Sequence, residues 1–227
     1  MGIQVSATGT ASSTGASLSI TRPAGIATGD LLLLAVALDA GTFGSGAAIA
    51  TPSGFTPVPA GSVGFGSNGR SQLAAFYKVA SDGEPASYTL NFSAGGFPSY
   101  AANAVICAFG GVNTEAPVDA SAGVSGGSSS SLAAPSVTPS EGEGDDLLVG
   151  LWGGTASVGA STWPAGMGDT LVANAGGGSL LMADQQLVSA GATGTRTLTA
   201  SAATTWGAVS LLLLPDRSAA LPLWENF

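Results

Sequence analysis

The chain has 227 residues, enough for one large domain or two small ones, and its 45% apolar content excludes disorder through hydrophobic poverty. Only 8% of residues are charged, against about 25% in an average soluble protein, so solubility rests on hydroxyls and backbone. The net charge of −9, with five scattered basic residues, leaves no footprint for nucleic-acid phosphates, while the absence of His and the single Cys107 exclude internal disulfides, Cys/His zinc sites and every His-based triad.

Along the chain no segment carries a helical apolar stripe, because Gly or Pro interrupts almost every window. Strand signatures are frequent. Ala16–Thr21, Leu31–Leu38, Gln72–Ala80, Ser87–Ser93 and Ala101–Val112 are each bounded by Gly, Pro, Asp or Ser, at the spacing of an all-β sandwich or barrel. The run LLLLAVAL at 31–38 fails as a secretory signal, since the only basic residue upstream is Arg22 and Asp30 stands directly before it. At eight residues it is also far short of the ~20 that cross a bilayer. It suits a central strand covered on both faces, and no membrane partner is expected.

The second half of the chain matches the first in order. VSATG at 5–9 and SLSIT at 17–21 are echoed by VDASAG at 118–123 and SLAAPSVT at 131–138, and GDLLLLAVA at 29–37 by DDLLVGLWG at 145–153. TPSGFTPV at 51–58 pairs with TWPAGMGDTLV at 162–172, LAAFYKVAS at 73–81 with LMADQQLVS at 181–189, SYTLNFS at 87–93 with TRTLTAS at 195–201, and AVICAF at 104–109 with AVSLLL at 208–213. The expected organisation is a duplicated β-sandwich over 1–216, with repeats at 1–112 and 113–216 of about seven strands each. A single jelly-roll-like body is favoured by the short connection at 110–119; two tandem small sandwiches are the alternative. The Ser/Gly-rich stretch 121–131 reads as an edge element equivalent to 7–17. The tail 217–227 departs from the repeat, and Leu221, Leu223, Trp224 and Phe227 equip it either to dock on a neighbour or to pack on its own body.

Motifs that could carry chemistry are weak. GFGSNG at 64–69 matches the dinucleotide-binding pattern but precedes a strand, so a hairpin loop is expected. GVSGG at 123–127 has the form of a nucleophile elbow, yet Ser125 has no His, and Lys78, the only lysine, sits among apolar neighbours and reads as snorkelling. Asp30, Asp39, Asp82, Glu84, Asp145 and Asp146 fall at strand edges and turns, where acids serve the backbone and solubility rather than glycoside hydrolysis. EGEGDD at 141–146 could attract Ca²⁺ but lacks EF-hand spacing and reads as a solvated turn. The sequon Asn91-Phe-Ser93 lies in an expected strand, and Cys107 reads as a buried small hydrophobe. No catalytic, metal or cofactor residue is assigned. For sugar binding, Trp163 in the loop STWPAGMGD is the best exposed candidate, whereas Trp152 and Trp206 fit the core.

GDLLLLAVALD, TPSGFTPV, AAFYKVASDGEPASYTLNFS, CAFGGVNTEAPVDAS, WPAGMGDTL and ATGTRTLTAS together resemble a diffuse family of Gly/Ala/Ser/Thr-rich β-sandwich proteins of tailed bacteriophages, over residues 17–215. The resemblance implies a non-enzymatic virion structural protein, a capsid decoration or head-fibre subunit or a minor tail component, made in the host cytoplasm without a signal peptide. It implies virion proteins as partners and a closed homo-oligomer, a trimer by class. The alternative is a carbohydrate-binding adhesin module that recognises a glycan.

Overall fold

The structure, a computed structural model, describes residues 2–140 and 144–217. It is all-β. In chain order the strands are β1 (Gln4–Ser13), β2 (Ser17–Thr21), β3 (Leu31–Asp39), β4 (Gly44–Ile49), β5 (Thr56–Phe65), β6 (Ser71–Val79), β7 (Ser87–Gly96), β8 (Ala101–Gly110), β9 (Val118–Ala134), β10 (Leu147–Gly154), β11 (Ala160–Thr162), β12 (Gly168–Ala175), β13 (Gly178–Gln186) and β14 (Arg196–Leu213). One 3₁₀ turn, Ser67–Gly69, joins β5 to β6. Among the described residues no helix is long and apolar enough to cross a membrane.

The first half builds a five-stranded antiparallel sheet, β1-β8-β3-β6-β5, and a three-stranded sheet, β2-β7-β4. In the second half the path β14-β10-β13-β12 is joined by β9, which pairs with β14, giving the same order from edge to edge as the first. The outer layer is made differently there: the far ends of β9 and β14 pair with each other, and β11 adds to β14, without a separate sheet. Among the described residues the first half thus has eight strands and the second six.

Side-chain alternation explains the layering. On β3 the odd residues Leu31, Leu33, Ala35 and Ala37 enter a core shared with Leu147, Val149, Leu151, Leu180, Met182, Val209 and Leu211 of the other half. The even residues Leu32, Leu34, Val36 and Leu38 meet Leu18, Ile20, Leu90 and Phe92 of the three-stranded sheet. A third cluster, with Leu132, Trp152, Leu181, Leu198 and Trp206, fills the second half's own sandwich. The two large sheets are therefore covered on both faces, which is why LLLLAVAL carries no polar alternation; each buried leucine contributes about 2 kcal/mol. The outer strands alternate instead, β2 between exposed Ser17, Ser19 and Thr21 and buried Leu18 and Ile20. Each half closes a small sandwich, and the two sandwiches share one continuous central core.

Register corrects one of the sequence matches. Leu31 lies opposite Val79 and Phe109, and Leu147 opposite Gln186 and Leu213. The counterpart of Val79 is therefore Gln186, and that of Leu73 is Leu180, not Leu181. A one-residue slip exchanges the two faces of a strand, and only the corrected match puts Leu73 and Leu180 in the same core.

Candidate functional site

The turn between β6 and β7 holds the most densely bonded side chains of the first half. Glu84 is buried, and its carboxylate accepts from Lys78 Nζ at 2.8 Å, Tyr88 OH at 2.9 Å, and both the backbone N–H and the hydroxyl of Ser81 at 3.0 Å. Arg22 donates to the Glu84 carbonyl at 2.9 Å. Burial alone would raise the pKa of Glu84, but the bonds from Lys78, Ser81 and Tyr88 favour the ionised form and hold it at about 2. The Tyr88 phenol is pushed up from its ordinary value by burial and by the Glu84 carboxylate it donates to. Its ring is fixed edge-on against Phe55, with centroids 5.1 Å apart. Lys78 is thus the pinned partner of a buried carboxylate rather than a side chain that simply snorkels.

Above this network lies an open cleft of about 480 Å³ between the 51–54 loop and the outward face of β7. Strand alternation sends Ser87, Thr89 and Asn91 outward while Tyr88, Leu90 and Phe92 enter the core. Thr51 and Ser53 face them from the loop, which is tied to β7 by the Ala50 N–H donating to the Asn91 carbonyl at 2.9 Å. Gly54, at φ +79°, borders the Lys78 ammonium, and a Cβ there would lie 3.5 Å from Nζ.

The remaining candidates serve the fold. Asp30 accepts from Ser6 Oγ and the Ala27 N–H, each at 3.0 Å; Asp39 from Ser71 Oγ at 2.8 Å; and Asp82 from the Thr28 hydroxyl. In EGEGDD, residues 141–143 lie outside the described residues. Asp145 pairs with Arg217 at 2.5 Å, and its pKa is lowered chiefly by that bond. Asp146 is buried, 3.8 Å from Arg217, and its pKa rises to about 7 through burial first and then through the neighbouring Asp119, which itself accepts from the N–H and hydroxyl of Ser140. Among the described residues no group of three His, Cys, Asp or Glu is arranged to hold a metal ion. Ser125 lies within β9, in a strand rather than at an elbow, and GFGSNG forms the β5–β6 hairpin turn. Asn91-Phe-Ser93 lies in β7, and Cys107 is buried beside Met182, with its Sγ 3.6 Å from Sδ. Trp163 is half-buried and packs edge-on against Trp152 at 6.4 Å. Leu221, Leu223, Trp224 and Phe227 lie outside the described residues.

Among the described residues the most exposed aromatic side chains are two that sequence reading passed over. Phe43 is 77% and Phe97 88% exposed. They flank one rung, for Gly44 pairs with Gly96 at the junction of β4 and β7, and the Phe43 carbonyl would lie 2.2 Å from a Cβ on Gly96. Comparisons with protein families, curated proteins and solved structures find no match for this chain.

Proposed function

We propose that this chain is a non-enzymatic structural protein on the exterior of a tailed-bacteriophage particle, a head decoration, head fibre or minor tail component, that works through protein contacts. The observation that carries this reading is the Phe43–Phe97 pair, two phenylalanines held out to solvent at one end of the three-stranded sheet. Exposed aromatics on a charge-poor surface are the side chains that protein interfaces bury. The rest of the surface supports it. Exposed positions of β1, β2 and β9 are largely Ser, Thr, Ala and Gly, which lose little side-chain entropy when ordered against a lattice. Mass spectrometry of gradient-purified particles of the phage that encodes this chain tests the reading. The expected result is this chain at a fixed ratio to the major capsid or tail protein; its absence from purified particles overturns it.

A further inference from the structure

The cleft over the Lys78–Glu84–Tyr88 network has a polar lining that contact between protein surfaces does not require, and we infer that it binds a short neutral oligosaccharide. This inference is independent of the placement on a particle.

Three features select that ligand class. First, the lining offers hydroxyls and an amide from Thr51, Ser53, Ser87, Thr89 and Asn91, groups that both donate and accept. A sugar hydroxyl also does both, so it can bond to such a lining in either sense. Outward residues on β7 are spaced about 7 Å apart, so one strand addresses successive groups along an extended ligand. Second, the one charged group lining the cleft is already neutralised. The Lys78 ammonium gives one N–H to Glu84 at 2.8 Å, and the side chain remains 21% exposed. It can add a donor from a fixed position, but the paired carboxylate cancels the attraction for an anion, and the chain's net charge of −9 opposes polyanions. Third, the exposed Pro85 lines the same cleft and supplies C–H surface for the apolar face of a pyranose ring. At about 480 Å³ the space lies within the range of small-molecule sites and suits one or two sugar rings.

The hydrogen bonds of Glu84 to Ser81, Lys78 and Tyr88, and that of Ala50 to Asn91, hold the cleft walls in place before any ligand arrives. Binding therefore costs little reorganisation, and the affinity expected for so open and wet a site is in the millimolar to high-micromolar range.

Saturation-transfer NMR with the full chain tests the inference, using maltotriose, cellotriose and chitotriose as neutral probes and a sialylated trisaccharide as the anionic one. At least one neutral probe is expected to show transfer, reduced at least tenfold in Thr89→Arg, which fills the cleft from an exposed position without touching the core. Trp163→Ala is expected to leave the signal unchanged, since Trp163 packs against Trp152 and does not line the cleft. No transfer with any neutral probe overturns the inference. So does a signal that survives Thr89→Arg, one lost only in Trp163→Ala, or a preference for the anionic probe. Circular dichroism establishes that each variant is folded, and Thr89→Val, which keeps the shape but removes the hydroxyl, provides a milder second test with a two- to fivefold loss expected.

Discussion

Two places on the central interface are equivalent in the two halves and are filled in opposite ways. Asn103 of β8 lies opposite Ala37, and Gly207 of β14 opposite Gly153; Phe65 ends β5 just as Ala175 ends β12. At one edge Asn103 reaches across to the other sheet. Its amide donates to the Ala175 carbonyl at 3.1 Å and accepts from the Ala175 N–H at 2.9 Å, while Ser12 Oγ donates to the same oxygen at 2.7 Å. At the other edge the large partner is Phe65, and it lies over Gly207, where a Cβ would come within 2.8 Å of the ring. Asparagine against alanine in one place and glycine against phenylalanine in the other are two solutions to one packing problem. The first fixes register through directional bonds and the second contributes apolar burial, so the two edges should fail differently.

The largest effect is expected at the apolar edge. Phe65→Ala opens a cavity over Gly207 in the central core and should cost about 4 kcal/mol in chemical denaturation. A loss under 1 kcal/mol would mean that the ring contributes no packing there. Asn103→Ala should cost about 2 kcal/mol, because it removes three hydrogen bonds made by a buried amide, two with the backbone of Ala175 and one from Ser12. Hydrogen exchange separates the two variants. Asn103→Ala should speed exchange at the end of β12 specifically, whereas Phe65→Ala should lower protection throughout the central core.

The strands and their two-sided burial are legible in the sequence because period and turn residues are local signals. LLLLAVAL between acidic residues needs nothing distant to be read as a central strand. What escaped depends on register or on partners far along the chain. Matching Leu73 to Leu181 satisfied composition, and only the ladder shows that Leu180 shares its face. Lys78 among apolar neighbours gave no sign that Glu84 would fold back under it, although Ser81 to Tyr88, a turn with acid and phenol four residues apart, was the available clue. Asn103 was the one amide in an apolar run, a signal that a buried amide would need a partner from elsewhere in the fold. Phe43 and Phe97 each sit beside glycines outside the expected strands, and an aromatic in a connection between strands has no sandwich interior to enter.

The halves differ again in how their buried acids respond to pH. Glu84 has its pKa lowered to about 2, so its contribution is fully present above the ordinary value of 4.5 and is lost as pH falls toward 2. Asp146 has its pKa raised to about 7, so the folded state holds a proton that the unfolded state releases near 3.8, and stability drains away as pH rises from about 4 to 7. Each group contributes on the order of a few kcal/mol. Stability should therefore peak near pH 4 to 5 in urea titrations. Asp146→Asn is expected to flatten the high-pH limb, and Glu84→Gln the low-pH limb. If Asp146→Asn left the decline between pH 5 and 7 unchanged, that buried carboxyl would not be its source.

A smaller effect sharpens the comparison at the interface. Phe65→Ala combined with Gly207→Asn rebuilds at the apolar edge the pairing that Asn103 and Ala175 make at the other. If the two edges are interchangeable, the double variant should recover about 1 kcal/mol of the loss in Phe65→Ala, because the new amide can bond to the end of β5. Further destabilisation would show that the backbone at the end of β5 does not present its polar groups as Ala175 does.

The smallest effect on stability is expected where the first half departs most visibly from the second. β7 and β8 are separate strands, so the chain leaves the sheet at Phe97; in the second half β14 runs without a break from Arg196 to Leu213, absorbing the change of layer through register shifts near Thr204. The break creates the surface on which Phe43 and Phe97 stand. Replacing both with Ser should change folding stability by less than about 0.5 kcal/mol, since neither ring is buried. If the pair contacts a partner on the particle, the same double variant should be depleted from purified particles at least tenfold. Fold and assembly are then separable: depletion at unchanged stability assigns the aromatic pair to the interface, and normal incorporation removes it.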